Sequence, residues 1–293
     1  MLRAWKLRLG AATFVATLAV STLILGHGRG SSAAVAPPDL IRLPPKEFSY
    51  RANGEFTQAG RPVLAPMGTA EIARGLAIMT RQVTAAEYGR CVDAGACPRT
   101  ERDAGAADRP AVKVNWYDAQ TYAAWLSRET GQHFRLPTDE EWSYAAADRV
   151  TDNAIVKQNN PGQRAVASYE FEANLTGDLD RELRPIGSFG TNQNGLLDLA
   201  GNVWEWTDTC FDRHALDAEG RTLQATSYCG IRIAEGRHRA YMLDFVRDAR
   251  NGGCSVGTPP TNLGFRLVRA EDDPWHGLWS LMIWAQRRLG FGA

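Results

Sequence analysis

The chain lacks an excess of either charge: 33 Lys+Arg stand against 33 Asp+Glu, a formal net charge of +0 over 293 residues. With no basic surplus, and no basic stripe interleaved with aromatics, nothing in the sequence calls for nucleic acid. Histidine is scarce. The five present, His27, His133, His214, His238 and His276, form no spaced cluster of the kind that non-haem iron requires. No CxxC pair occurs, so the residues give no support to a zinc site. No internal repeat is visible, and the length allows one large domain or two small ones.

Cysteine is sparse too, and its placement is informative. The five are Cys91, Cys97, Cys210, Cys229 and Cys254, with none from Gly230 to Gly253. Cys91 and Cys97 flank Val-Asp-Ala-Gly-Ala, a short loop that a disulfide closes readily, and Cys210 and Cys229 bracket a polar excursion. The expectation is two bridges and one odd thiol, Cys254, in an oxidising compartment.

Charge is also missing from Leu9 to Gly26, behind Arg3, Lys6 and Arg8. A positive start before an apolar run is the pattern of a secretory leader or an N-terminal membrane anchor. The positive-inside rule then places the rest of the chain outside the cytoplasm. Residues 1–26 are therefore read as a signal peptide or an anchor in the inner membrane, and the expected location is periplasmic or otherwise extracytoplasmic. Residues 27–45, rich in Gly, Ser, Ala and Pro, read as a linker, and residues 46–271 as the folded domain. The tail, 272–293, is distinct. Asp272-Asp273-Pro274 breaks the domain, and Trp275, Trp279 and Trp284 come next in an apolar run that ends at Arg287-Arg288. It is either an interfacial helix or a segment packed back on the domain.

Three helices are predicted. Thr84 with Glu87 is a capping box and opens a helix that ends near Asp93. Trp116, Ala119, Ala123 and Leu126 recur at helical spacing between Asn115 and Thr130, and Gly131 supplies a stop. Thr138 with Glu141 is a second capping box, for a helix running through Ala147. Beyond residue 150 the helical signal fades and only short strands are expected, such as Gly264 to Val268. The sum is an α+β chain with much irregular backbone, which needs disulfides, ions or dense side-chain hydrogen bonding to hold its loops.

Asn194 to Thr207, NGLLDLAGNVWEWT, packs two tryptophans, two carboxylates and two glycines into one loop. Its Leu and Trp side chains want a core, and Asp198 and Glu205 want a cation, a donor or water. This run joins three others in order: Trp116-Tyr117-Asp118-Ala119 with Trp125-Leu126, Arg135-Leu136-Pro137-Thr138-Asp139-Glu140-Glu141-Trp142, and Asn262-Leu263-Gly264-Phe265-Arg266-Leu267-Val268. Together they resemble the formylglycine-generating enzyme, or sulfatase-modifying factor, superfamily over roughly residues 60 to 270. The resemblance implies a C-type-lectin-like α+β fold with little regular secondary structure. It also implies several chemistries: oxidation of a sulfatase cysteine to formylglycine by copper on two cysteines, iron-dependent sulfoxide synthesis, and maturation of the pyoverdine chromophore.

The copper pair is missing. Counting back from Asn262, the family's two cysteines fall near Met242 and between Arg237 and Tyr241, and neither position is a thiol. The family's Arg-Gly-Gly-Ser-Trp signature is reduced to Glu235-Gly236-Arg237-His238-Arg239. Iron finds no histidine cluster. Calcium is the cofactor that the resemblance implies, in a structural role. One site would take the side chains of Asp198 and Glu205 and the carbonyls of Gly201 and Val203. A second would take the side chains of Asn174 and Asp178 and the carbonyls of Leu175 and Asp180. The charged region that remains gives three ligand-binding candidates, His238, Arg247 and Arg250. The functional expectation is an exported maturation factor or oxidase without the copper–cysteine mechanism, acting on a small molecule or an exported protein. The alternative is a non-catalytic binding or accessory module, and sulfatase activation comes third.

Overall fold

The computed structural model describes residues 35–100, 107–150, 161–177, 182–248 and 262–270. The expected leader or anchor, the Trp-rich tail, Cys254, Arg250, Asp178 and Asp180 lie outside them. Among the described residues no helix is long and apolar enough to cross a membrane.

The three predicted helices form where their caps place them. α1 (Ala85–Asp93) and α3 (Asp139–Ala146) each start at a threonine whose side chain accepts from the N3 amide, while the N3 glutamate returns a bond to the cap. α2 (Trp116–Thr130) does the same with Asn115 and Asp118, and ends at Gly131 in the left-handed conformation. Each such cap contributes about 1 kcal/mol, by satisfying amides that the first turn leaves free. A short 3-10 turn, Ala147–Arg149, extends α3.

Among the described residues the strands form three sheets. β1 (Leu40–Leu43), β6 (Leu76–Met79), β12 (Val268–Arg269) and β7 (Phe134–Arg135) make a four-stranded sheet in that order. β2 (Lys46–Arg51) pairs only with β5 (Met67–Ile72). The third sheet runs β10 (Ala240–Leu243), β9 (Thr222–Glu235), β8 (Trp204–Leu216), β3 (Glu55–Gln58), β4 (Arg61–Val63), with β11 (Leu263–Gly264) parallel to the start of β8. The buried core joins α2 (Tyr122, Trp125, Leu126) to Trp204, Trp206, Phe265 and Leu267. A second buried group holds Trp142 with Ile78, Leu196, Leu199 and Val268.

Both expected disulfides are formed, Cys91–Cys97 with Cα atoms 5.3 Å apart and Cys210–Cys229 with Cα atoms 4.5 Å apart. The α+β reading holds, but four local expectations are corrected. β1 lies inside the stretch read as a linker. Its flanking Pro37-Pro38 and Pro44-Pro45 look like linker residues, yet Leu40–Leu43 pairs with β6. The region after residue 150 contains a helix of 17 residues, α4 (Pro161–Gly177), which has no apolar stripe to announce it. It also contains long strands, β8 with 13 residues and β9 with 14. Their outer ends are polar and were hidden by turn-like composition. Finally, Gly264 to Val268 is not one strand but two short pairings, β11 and β12. Between them Phe265 and Leu267 offer their carbonyls to Val83 and Met79.

Candidate functional site

The loop from Asn194 to Thr207 is built on left-handed backbone. Gly195 (φ 83°), Asp198 (57°), Ala200 (57°) and Asn202 (65°) all lie there. For the three non-glycine residues this conformation costs on the order of 1 kcal/mol each or more, so surrounding contacts must hold it. Asp198 accepts from the amides of Gly187 and Phe189 at 2.5 and 2.8 Å. The Asn202 amide group accepts from the Arg184 N–H at 2.9 Å and donates to its carbonyl at 2.8 Å. Gly201 lets Phe189 approach: a Cβ there would meet the ring at 2.6 Å. Trp204 and Trp206 are buried, and each indole N–H donates at 2.9 Å, to the carbonyls of His238 and Val114 respectively.

Glu205 is the hub of this loop and is 1% exposed. Arg266 grips it in bidentate fashion, Nε to Oε2 at 2.6 Å and Nη2 to Oε1 at 2.7 Å. Trp142 Nε1 donates to Oε2 and Gln82 Nε2 to Oε1, both at 2.8 Å. These four donors fill the roughly four lone-pair positions of a carboxylate. Arg266 is itself fully buried and donates further to the carbonyls of Met79, Thr80 and Leu197.

Directly across the β8–β9 pairing from Glu205 stands Glu235. It belongs to a second buried cluster. Arg239 Nε bonds Glu235 at 2.8 Å and its Nη2 pairs with Asp139 at 2.9 Å. The Tyr50 hydroxyl donates to the same Asp139, whose backbone amide donates to Thr209 Oγ1 at 2.8 Å. One guanidinium serves two carboxylates. Burial first, and the Asp139 charge second, push the Glu235 carboxyl well above the usual carboxylate range, with Arg239 opposing only in part. Burial and then Asp139 push the Tyr50 phenol up as well. Next in the chain, His238 is 1% exposed, with Trp204 at its ring edge at 5.3 Å. Burial lowers its pKa, so the imidazole is neutral at neutral pH.

The sequence that carries this loop, these clusters and the three capped helices matches a known domain. The sulfatase-modifying factor enzyme 1-like domain matches residues 29–271. The chain belongs to this family. Formylglycine-generating enzyme from Mycobacterium tuberculosis is 40% identical over 201 residues, covering 59% of this chain and 63% of that protein. The inactive C-alpha-formylglycine-generating enzyme 2 of Bos taurus is 31% identical over 169 residues, covering 56% of this chain and 52% of that protein. The match thus spans between half and two thirds of these relatives. Among solved structures, PvdO from Pseudomonas aeruginosa superposes with a TM-score of 0.50 at 22% identity, over 80% of this chain and 95% of that one. That likeness supports the sulfatase-modifying-factor fold.

In the segment where the family resemblance places the copper thiolates, buried and half-buried side chains alternate. Met242 is fully buried, His238 nearly so, and Arg239 is committed to Asp139 and Glu235. Four of the five cysteines are consumed by the two disulfides, which leaves no pair of thiols anywhere in the chain. The ligand candidates are not gathered into an open anion site among the described residues. His238 is buried, and Arg247 makes a bidentate pair with Asp118 at 2.7 and 3.0 Å.

The two calcium sets fare differently. Asp198, Gly201, Val203 and Glu205 are brought together in the loop, with both carboxylates engaged by protein donors. Of the second set, Asn174 is exposed near the C-terminal end of α4, Leu175 is next in the same helix, and Asp178 and Asp180 lie outside the described residues. Sequence reasoning missed Gln82, which is fully buried, and the partnership of Asp139 with Glu235. A buried glutamine one residue before an apolar Val and a capping Thr was the only available signal for the first. The second joins residues 96 apart and left no local signal.

Proposed function

We propose that this domain is a non-catalytic binding or accessory module of the sulfatase-modifying-factor family, working outside the cytoplasm, and that it does not generate formylglycine by the copper–cysteine route. The observation that carries this reading is the filling of the segment from Arg237 to Leu243: where the family resemblance places thiolates, His238 and Met242 are buried and Arg239 is held by Asp139 and Glu235. The inactive bovine relative is consistent with loss of the reaction on a retained scaffold. The N-terminal charge pattern supports a periplasmic or extracytoplasmic address, and the partner is an exported protein or a small molecule.

The test is direct. Purified full-length protein is incubated with a cysteine-containing sulfatase peptide, copper and oxygen, and the peptide is weighed by mass spectrometry. The thiol is expected to persist, and appearance of the aldehyde would overturn the reading. Crosslinking in the native envelope is then expected to trap a specific partner.

A second reading, a copper-independent oxidase or maturation factor, draws support from Glu235, whose carboxyl burial and the neighbouring Asp139 charge push well above the usual range, since perturbed carboxyls cluster at working sites. Oxygen uptake with a candidate substrate, abolished by Glu235→Gln, would favour it over the first.

A further inference from the structure

The Gln82 amide is placed where a cation would be expected. Its Nε2 faces three oxygens of the Asn194–Thr207 loop: Glu205 Oε1 at 2.8 Å, the Asp198 carbonyl at 3.2 Å and the Gly201 carbonyl at 3.4 Å. Its own Oε1 is buried without a hydrogen-bond partner. The orientation is dictated by the network: turned the other way, the amide oxygen would sit against three acceptors. A calcium ion needs six to eight oxygens at about 2.3–2.6 Å. Here the four lone-pair positions of Glu205 are taken by Arg266, Trp142 and Gln82, and the Asp198 carboxylate is taken by two backbone amides. The Arg266 guanidinium also cancels the charge of Glu205, and a dication at this point would face it across the same carboxylate.

We infer that the Gln82 amide, backed by Arg266, takes the place of a cation at the Asp198–Glu205 loop, so that this loop keeps its left-handed conformation without calcium. The residues that family resemblance assigns to a metal are here closed by an internal donor. Replacing the amide with a carboxylate should reverse this. Gln82→Glu sets a second negative charge against Glu205 Oε1 and two carbonyls, which removes the internal donor and gives these oxygens a reason to take up a cation.

The test uses the full chain carrying Asn174→Ala and Asp178→Ala, which removes the side-chain ligands of the other expected calcium set from the measurement. After dialysis against EDTA, metal content and melting temperature are read with and without 1 mM calcium chloride, a concentration of about 100 Kd for a site of ~10 µM affinity. In this background the melting temperature is expected to move by less than about 1 °C, with no bound calcium. Adding Gln82→Glu is expected to lower it in EDTA and to raise it by about 5–10 °C on adding calcium. If the Gln82→Glu protein folds only when calcium is in the refolding buffer, that counts for the inference; if calcium does not help it, the inference fails. One calcium per chain, or a rise of several degrees, in the background with Gln82 intact overturns it outright.

Discussion

Glu205 and Glu235 face one another across β8 and β9, on the same side of one sheet, and helix α3 lies across both: Trp142 reaches the first and Asp139 touches the cluster of the second. Like charges directly opposite in a sheet repel, and the two ends of the pair solve this differently. Glu205 has a guanidinium to itself, so its charge is balanced and every lone pair is used. Glu235 shares Arg239 with Asp139, so its cluster has one negative charge too many, and burial with the Asp139 charge pushes the Glu235 carboxyl well above the usual carboxylate range. The first arrangement fixes a strained loop. The second reaches, through Glu235 and Arg239, into the segment where the family resemblance places thiolates.

Four measurements would break or sharpen this contrast. The largest effect is expected from Arg266→Met, which leaves Glu205 buried and unpaired: a loss of about 3–5 kcal/mol in urea unfolding at neutral pH. Arg239→Met should also destabilise, but unlike Arg266→Met it should recover as the pH falls, because protonation can absorb the surplus charge of Asp139 and Glu235. Equal pH profiles for the two variants would erase the distinction.

Next comes the disulfide that ties β8 to β9 beyond both carboxylates. Cys210→Ala with Cys229→Ala should cost about 3 kcal/mol, and opening the shorter Cys91–Cys97 loop about 2 kcal/mol, by chain entropy. Thermal melts of the two double variants check the order.

The third effect concerns Glu235 itself. Its folded pKa is raised above the unfolded value, so its contribution to stability is full below about pH 4.5 and is lost as the pH rises toward the folded pKa. In that window the decline is about 1.4 kcal/mol per pH unit for the one proton. Glu235→Gln should flatten it and be neutral or stabilising at pH 8; a variant that keeps the wild-type slope would show that another group carries the proton.

The smallest effect is expected from Arg247→Ala. Its pair with Asp118 is bidentate, but the arginine side chain is 46% exposed, and solvent-screened pairs contribute roughly 0.2–1 kcal/mol. A loss of more than about 1 kcal/mol would mean that this pair belongs with the buried clusters.

The residues by themselves determined a good deal. Thr84, Thr138 and Gly131 marked helix ends because capping is local chemistry within four residues. Cys91 with Cys97 and Cys210 with Cys229 were readable from spacing, and the ordered Trp, Asn and Gly motifs carried the family. Local pattern could not show α4, whose faces are not segregated, or the strand hidden between two proline pairs. Nor could it say what Asp198 and Glu205 bind. That was decided by tertiary structure, because the donors that satisfy Glu205 come from residues 123, 63 and 61 positions away in the chain. A buried carboxylate must find a partner, and only the packed fold determines whether that partner is an ion, an arginine or a proton.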